Sequence, residues 1–418
     1  MKSITISFII IIIIIPLVVF VTSCSSNRSV ELEGEGVYVI NMDQAVMNSD
    51  DVCPYSILYK GIKTILLETN ESCLIGIISK MRVFDQHIFI LDRHIAKSLF
   101  VFDKEGHFIR KIGSIGGGPG EFTDISDFTI NQDNKTIYTF DRNMQRINIY
   151  DIFSGKYMRS INLKFTSVRS RHIEYSGGKL YADAYFPNHS EDNYLLRVIN
   201  ESSGNDKSRH LNVMKYNKGF SNTNFVNNNV FQLQGIENLV FIQRTMDRIV
   251  KITKDSIFSL IDIKGKNILT AEDVKKAMEN DPEGLMRDLY KLDKYYEIQN
   301  IIDLDNRILF DYIKGRFLLK IIFDKQTHET NIFGCCTNDL LIREKKDEWR
   351  RLSALNVYCY DSEGVYYVFS STPYSNTVSN IITAAKAGVF SPDLDKLEYI
   401  KNLEEDANPI IFYHEFKD

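Results

Sequence analysis

A repeat with a period of 49 residues governs what this chain can become. The segments IFILDRHIAKSLFVFDKEGHFIRKI (88–112) and IYTFDRNMQRINIYDIFSGKYMRSI (137–161) share one grammar. Each has an apolar alternation ending in Asp-Arg, a polar gap, a second alternation ending in Asp, a glycine turn and a third alternation ending in Ile. Asp92 and Asp141, Gly106 and Gly155, and Ile112 and Ile161 each stand 49 positions apart. Alternation with period two marks strands, and Asp and Gly at fixed offsets mark the turns between them. Strands joined by tight turns and repeated at this period are propeller blades. A single such sheet leaves an apolar face wet, so the blades must stack and the ring must close.

Weaker copies follow. GKLYADAYF (178–186) with NYLLRVIN (193–200) reads as a third blade, NLVFIQRTMDRIVKIT (238–253) as a fourth and RILFDYIKGRFLLKIIFDKQTHETNIF (307–333) as a fifth. GVYYVFSS (364–371) and the strand-like segments after it read as a sixth. SILYKGIKTILLE (56–68) precedes the first blade and NPIIFYHEF (408–416) follows the last, so a strand from each end is expected to complete one sheet. One piece breaks the pattern. Residues 270–298 carry a capping box, Thr270 with Asp273, then Val274, Ala277 and Met278 at helical spacing, a break at Asp281-Pro282 and a second stripe of Leu285, Leu289 and Leu292. This predicts a helical insertion between the fourth and fifth blades, its apolar stripe packed on the propeller.

The loop GSIGGGPGEF (113–122) invites a phosphate-binding reading, but its context contradicts one. A P-loop needs Lys and Ser or Thr after the last Gly and a helix to receive the phosphate; here Glu121-Phe122 and a strand follow. A dinucleotide fingerprint fails for the same lack of a strand-to-helix step. The loop is expected to turn a corner between blades, with glycines at positive φ, including Gly118 or Gly120, and Phe122 wedged between sheets.

The chain holds 50 basic and 55 acidic residues, a net charge of −5, with no long like-charge run, so no nucleic-acid partner is indicated. At the N-terminus, Lys2 precedes an apolar run from Phe8 to Val21, followed by Val21-Thr22-Ser23-Cys24. That is the layout of a secretory signal ending at a Cys. The alternative is an uncleaved membrane anchor, since Ile4 to Val21 approaches spanning length, although Pro16 interrupts it. Both place the rest of the chain outside the cytoplasm. The other cysteines, Cys53, Cys73, Cys335, Cys336 and Cys359, are odd in number and widely spread. They read as ordinary thiols rather than a disulfide framework or a zinc site.

The apolar run closed by Cys24 resembles a bacterial lipoprotein signal, in which that Cys becomes the acylated first residue. The segments ILLETNESCLIGIISKM (65–81), FVFDKEGHFIRKIGSIGGGPGEF (100–122) and EDANPIIFYHEF resemble the six-bladed β-propeller lipoproteins of Bacteroidetes, related in style to NHL-repeat propellers. The resemblance implies an all-β, six-bladed β-propeller and says little about activity. With it, the chain divides into a signal and lipobox (1–24), a linker to the membrane (25–54) and the propeller (55–418) with its insertion at 270–298. It also implies an outer-membrane lipoprotein of the cell envelope.

Some NHL-type propellers are lyases or metal-dependent lactonases with His or carboxylate ligands in the channel. In this chain the eight His share no blade position, and neither HExxH nor GxSxG occurs. Asp92 and Asp141 recur at one blade position and are the best polar candidates, although Asp at a strand end commonly serves a turn. The sequence therefore indicates no catalytic, cofactor or metal residue. It favours a non-catalytic binding or scaffold module for a protein or glycan ligand, with a channel-metal hydrolase or lyase as the alternative.

Acylation at Cys24 is directly measurable. Mass spectrometry of membrane-extracted protein is expected to find residue 24 as a lipid-modified N-terminus and Cys24→Ala to release or misprocess the protein; an intact Met1 refutes it.

Overall fold

The computed structural model describes residues 30–31, 36–164, 170–184, 193–219, 230–234, 238–280, 289, 291–343, 355–369 and 377–417. Cys24 and its apolar run lie outside them. Among the described residues no helix is long and apolar enough to cross a membrane.

The strands form a six-bladed β-propeller. Each of blades I to III is a four-stranded antiparallel meander in chain order. Blade I is Lys80–Phe84, His87–Asp92, Ser98–Asp103 and Phe108–Ile112, and blade II is Ile125–Asn131, Thr136–Asp141, Arg146–Asp151 and Tyr157–Asn162. The repeat seen in the sequence thus covers the second to fourth strands of blades I and II; the first strand of each blade precedes it. Those first strands meet one another around the axis. Apolar clusters fill the spaces between neighbouring blades: Phe89, Val101, Phe128 and Tyr150 between I and II, for example, and Phe140, Ile149, Ile173 and Leu180 between II and III.

Ring closure uses both ends of the chain, as expected. Ile410–Phe416 is the third strand of blade VI, between Gly364–Phe369 and Tyr59–Leu66, and pairs with the latter antiparallel from Ile410↔Leu66 to Phe416↔Tyr59. The expected linker at 25–54, however, is largely part of the propeller. Tyr38–Asn41 pairs in parallel with Ser256–Lys264 of blade IV, and Val46–Pro54 pairs in parallel with Thr330–Thr337 of blade V. The N-terminal chain is therefore a strap that covers the outer edges of blades IV, V and VI in turn, which removes three open edges.

The insertion holds a helix, Ala271–Asn280. Its capping box forms: the Asp273 N–H donates to Thr270 Oγ1 at 3.2 Å, and the Thr270 N–H donates to Asp273 Oδ2 at 2.8 Å. Val274 and Ala277 pack with Leu269, Leu289 and Tyr296 on the propeller. The insertion ends earlier than expected, because Tyr295–Asp303 is the first strand of blade V. Residues 281–288, with Leu285, lie outside the described residues. The stretch after 364–371 also departs from expectation: Thr377–Lys386 and Leu397–Lys401 are helices inserted within blade VI. Ile381, Ile382, Ala384 and Ala385 are buried at helical spacing, and Ile381 and the two alanines pack into the blade V–VI core. Their β-branched neighbours gave the segment its strand-like look, a case of packing overriding propensity.

The glycine loop is a corner. Ser114–Ile115 and Glu121–Phe122 pair in parallel across it, and Phe122 is buried among Phe89, Leu99, Phe128 and Tyr150, between blades I and II. The Glu121 carboxylate turns inward and accepts from the Gly118 N–H at 2.7 Å, so the loop's own acid occupies the place an anion would take. Gly120 has φ +75°, and a Cβ there would stand 2.7 Å from the Tyr157 side chain; Gly118, by contrast, is outside the left-handed region.

Two measurements check this architecture. Phe122→Ala is expected to cost about 3–5 kcal/mol and Gly120→Val to impair folding, whereas Gly118→Val is expected to be the milder of the two glycine changes. An unchanged melting curve for Phe122→Ala would remove the wedge from the fold. The second concerns His414, in the closing strand. It is buried against the rings of Tyr55, Tyr59 and Tyr367, its Nε2 lies 3.0 Å from Asn338 Nδ2, and burial pushes its pKa down to about 3 from an ordinary 6.5. The unfolded chain takes up a proton below 6.5 that the fold refuses, so stability falls as pH drops from 6.5 towards 3, by about 2–3 kcal/mol at pH 4.5. Denaturant titrations at pH 7 and 4.5 should show this slope reduced in His414→Gln; equal acid sensitivity in both proteins contradicts it.

Candidate functional site

The recurring aspartates each brace their own blade. Asp92 accepts the Gly76 and Ile77 N–H groups on Oδ2 at 2.8 and 3.1 Å, and those of His94 and Ile95 on Oδ1 at 3.0 and 2.9 Å. Asp141 does the same for Thr123 and Met144 at 2.6 and 3.0 Å. Asp183, at the same place in blade III, accepts the Arg171 and His172 N–H groups at 2.8 and 2.9 Å. Each carboxylate ties the end of a second strand to the segment that leads into its own blade's first strand. With its oxygens taken up by backbone donors, joined at Asp141 by the Thr123 hydroxyl and at Asp183 by the His172 ring, each serves as a clamp.

The polar groups with most to say about function lie on the first strands. Lys80 and Arg82 of blade I, Asp127 and Thr129 of blade II and Glu174 of blade III form one buried network at the axis. Lys80 Nζ lies 2.9 Å from Asp127 Oδ1 and 3.1 Å from Glu174 Oε2, and Arg82 Nη2 lies 2.5 Å from Glu174 Oε2. The Thr129 hydroxyl donates to the other Glu174 oxygen and accepts the Tyr175 N–H at 3.0 Å. Asp127 Oδ2 accepts the Ile173 N–H at 2.8 Å. Burial alone would raise the Glu174 carboxyl, but the Arg82 and Lys80 charges and the Thr129 hydroxyl hold it below its ordinary value. Two cations meet two carboxylates, so the network is neutral, and its acids are engaged by Lys, Arg and backbone groups. Among the described residues, no group of three or more His, Cys, Asp or Glu is placed to hold a metal ion.

Arg82 also forms the wall of a cavity of about 350 Å³, placed where the first strands of blades I, II, IV and VI end. Phe84, Phe231, Tyr358 and Tyr360 supply aromatic surface, and Asp85, Gln132 and Gln232 supply polar groups. Two donors in this wall are buried without a hydrogen-bond partner, Arg82 Nε and Gln232 Nε2. Both atoms lie beneath the cavity surface, so what a ligand can meet there is the part of the lining side chains that faces the space. Cys359 lines the same space; burial pushes its thiol up to about 12, against the lowering effect of Arg82, so it stays protonated and weakly nucleophilic.

Sequence reasoning found none of these cavity or network residues. The available signal was the charged or polar residues at alternate positions of buried strands: Lys80 and Arg82, Asp127 and Thr129. The Gly116–Gly120 segment, singled out by its composition, does not border the cavity.

Comparison with known proteins agrees with this architecture. No curated protein matches the sequence. A crystal structure of a Bacteroides fragilis protein, named for its expected export, superposes with a TM-score of 0.70 at 18% identity, over 91% of this chain and 100% of that one. A member of the DUF4221 family from Bacteroides vulgatus matches at 12% identity with a TM-score of 0.47, over 86% of this chain and 97% of its own. The first of these likenesses shows the propeller fold. Residues 37–415 match the model of a domain of unknown function, DUF4934, beginning at the strap rather than at the first blade, and the chain belongs to that family.

Proposed function

We propose that the protein is an exported, lipid-anchored propeller of the cell envelope that binds a glycan end in its axial cavity without transforming it. The observation that carries this reading is the cavity itself: about 350 Å³, aromatic on several sides, with the polar side chains of Arg82, Gln132 and Gln232 among its lining. Sugar rings present C–H faces that pack on aromatic side chains and hydroxyl oxygens that accept from amide and guanidinium donors, and a space of this size suits one or two sugar residues. Asp85 and Gln132 at the same cavity add an acceptor and an amide for further hydroxyls. Export and anchoring rest on the apolar run that ends at Cys24; the expected export of the Bacteroides fragilis protein with the same fold is in keeping with them. A non-catalytic role accords with the chemistry at the axis, where Asp127 and Glu174 are engaged by Lys80 and Arg82 and the Cys359 thiol is held protonated.

Calorimetric titration of the purified protein with neutral and acidic mono- and oligosaccharides tests the reading. One glycan class is expected to bind one to one, with affinity reduced about tenfold or more in Phe84→Ala and in Gln232→Leu. Because Gln232 Nε2 has no partner, Gln232→Leu should leave the melting temperature near that of the parent. Full affinity in both variants would place the ligand elsewhere, and absence of binding across the glycan set would favour a protein ligand.

A further inference from the structure

We propose that Cys53 and Cys336 are a disulfide site that fastens the N-terminal strap to blade V. The two lie on adjacent parallel strands, Val46–Pro54 and Thr330–Thr337, as direct register partners, with Val52↔Cys335 before them and Pro54↔Thr337 after. Adjacent strands run about 4.8 Å apart, inside the Cα separation that a disulfide spans, and register partners project from the same face of a sheet. Their side chains already interact: the Cys336 thiol hydrogen-bonds Cys53 and, as the largest influence, lowers the Cys53 pKa, with the nearby Lys320 ammonium acting in the same direction. Both thiols are free in this structure.

The other cysteines are placed differently. Cys335 is exposed and registers with Val52, Cys73 is buried and donates to the Glu68 carbonyl, and Cys359 lines the axial cavity. The hydrogen bond between the two thiols lowers the pKa of Cys53 and raises that of Cys336, while Cys336 is the less buried of the pair. One of the two attacks an external disulfide as its thiolate, forming a mixed disulfide and releasing one oxidant thiol; the other then attacks the sulfur of the first and releases the second. The balance is Cys53–SH plus Cys336–SH plus one small-molecule or protein disulfide, giving the Cys53–Cys336 bond and two thiols. Two electrons and two protons pass to the oxidant. The bond would close a chain loop from the strap to the end of blade V, and long loops are where a cross-link constrains the unfolded chain most. The chemistry needs only a disulfide oxidant, so it stands apart from the export and glycan readings.

The test uses the purified full chain, reduced, freed of reductant, equilibrated with oxidised glutathione and then alkylated and digested. The expected product is one cross-linked peptide pair joining residues 53 and 336, present in the parent and in Cys335→Ser and lost in Cys53→Ser and Cys336→Ser. Oxidation should also raise the melting temperature of the parent by several degrees and leave Cys336→Ser unmoved. Cys336 carries the control should Cys53→Ser fold poorly, since its side chain is the more exposed. Recovery of residues 53 and 336 as alkylated thiols, a lasting glutathione adduct on Cys336, or a bond from Cys53 to Cys335 overturns the proposal.

Discussion

The pairing of Ile410–Phe416 with Tyr59–Leu66 is the contact on which the rest of the ring depends. It joins residues roughly 350 positions apart, and the entropy of closing so long a loop must be met before any blade gains its last neighbour. The structure meets this cost with unusually complete local bonding. Asn408, just ahead of the closing strand, accepts the Ile75 N–H at 2.8 Å and donates to the Glu68 and Cys73 carbonyls at 2.6 and 2.8 Å. Its own N–H reaches the Thr69 hydroxyl at 2.9 Å. One buried amide thus ties the end of the chain to the segment that leads into blade I, so closing the last blade and positioning the first are a single event.

Closure also explains what stands at the axis. Six first strands held edge to edge leave a narrow centre, and in blades I to III it is filled by Lys80, Arg82, Asp127, Thr129 and Glu174 instead of by apolar side chains. A buried ion network of this kind adds little net stability over a well-packed apolar core, while removing one partner leaves a charge stranded. Its effect is therefore on geometry. Lys80 reaches from blade I to blades II and III and Arg82 to blade III, and each acid also accepts a hydrogen bond from an adjacent blade, so the relative height of blades I, II and III is set at the axis. Arg82 belongs both to this network and to the cavity wall, and whatever occupies the cavity rests on a side chain already held by Glu174.

The propeller was legible because its signal is local and repeated. Asp92 and Asp141 mark the same corner in successive blades, and Gly106 and Gly155 the same turn, so one period exposes both. The clamp chemistry followed from the same residues, since a short acid at a strand end has backbone donors within reach. The axial site was not legible because its members come from different blades: Lys80, Asp127 and Glu174 are spaced by about one blade each, and nothing local to any of them says that they meet. The strap was hidden for another reason. Parallel pairing of Tyr38–Asn41 and Val46–Pro54 with blades IV and V spans more than 200 residues and leaves no turn between partners. The helix Thr377–Lys386 was masked by its Val, Ile and Thr residues, which favour strands until a core stands ready on one side.

The strap gives the N-terminal chain a mechanical part in the molecule. On leaving any membrane anchor upstream, the chain first pairs with the edge of blade IV, then blade V, and then becomes the outer strand of blade VI, the closing blade. A pull on the N-terminal end of the strap is therefore taken first by the parallel pairings on blades IV and V, before it reaches the strand that closes the ring. The axial cavity takes one wall from Tyr358 to Asp361, in the first strand of that same closing blade and the turn after it, so its shape depends on blade VI staying shut. Parallel edge pairing is slightly weaker per residue than antiparallel pairing, which makes the strap the weakest part of this path and the place where a covalent link acts most effectively. Cys53 faces Cys336 there, one residue short of the end of the strap's blade V strand and just ahead of the turn at Tyr55–Ile57 that hands the chain on to blade VI.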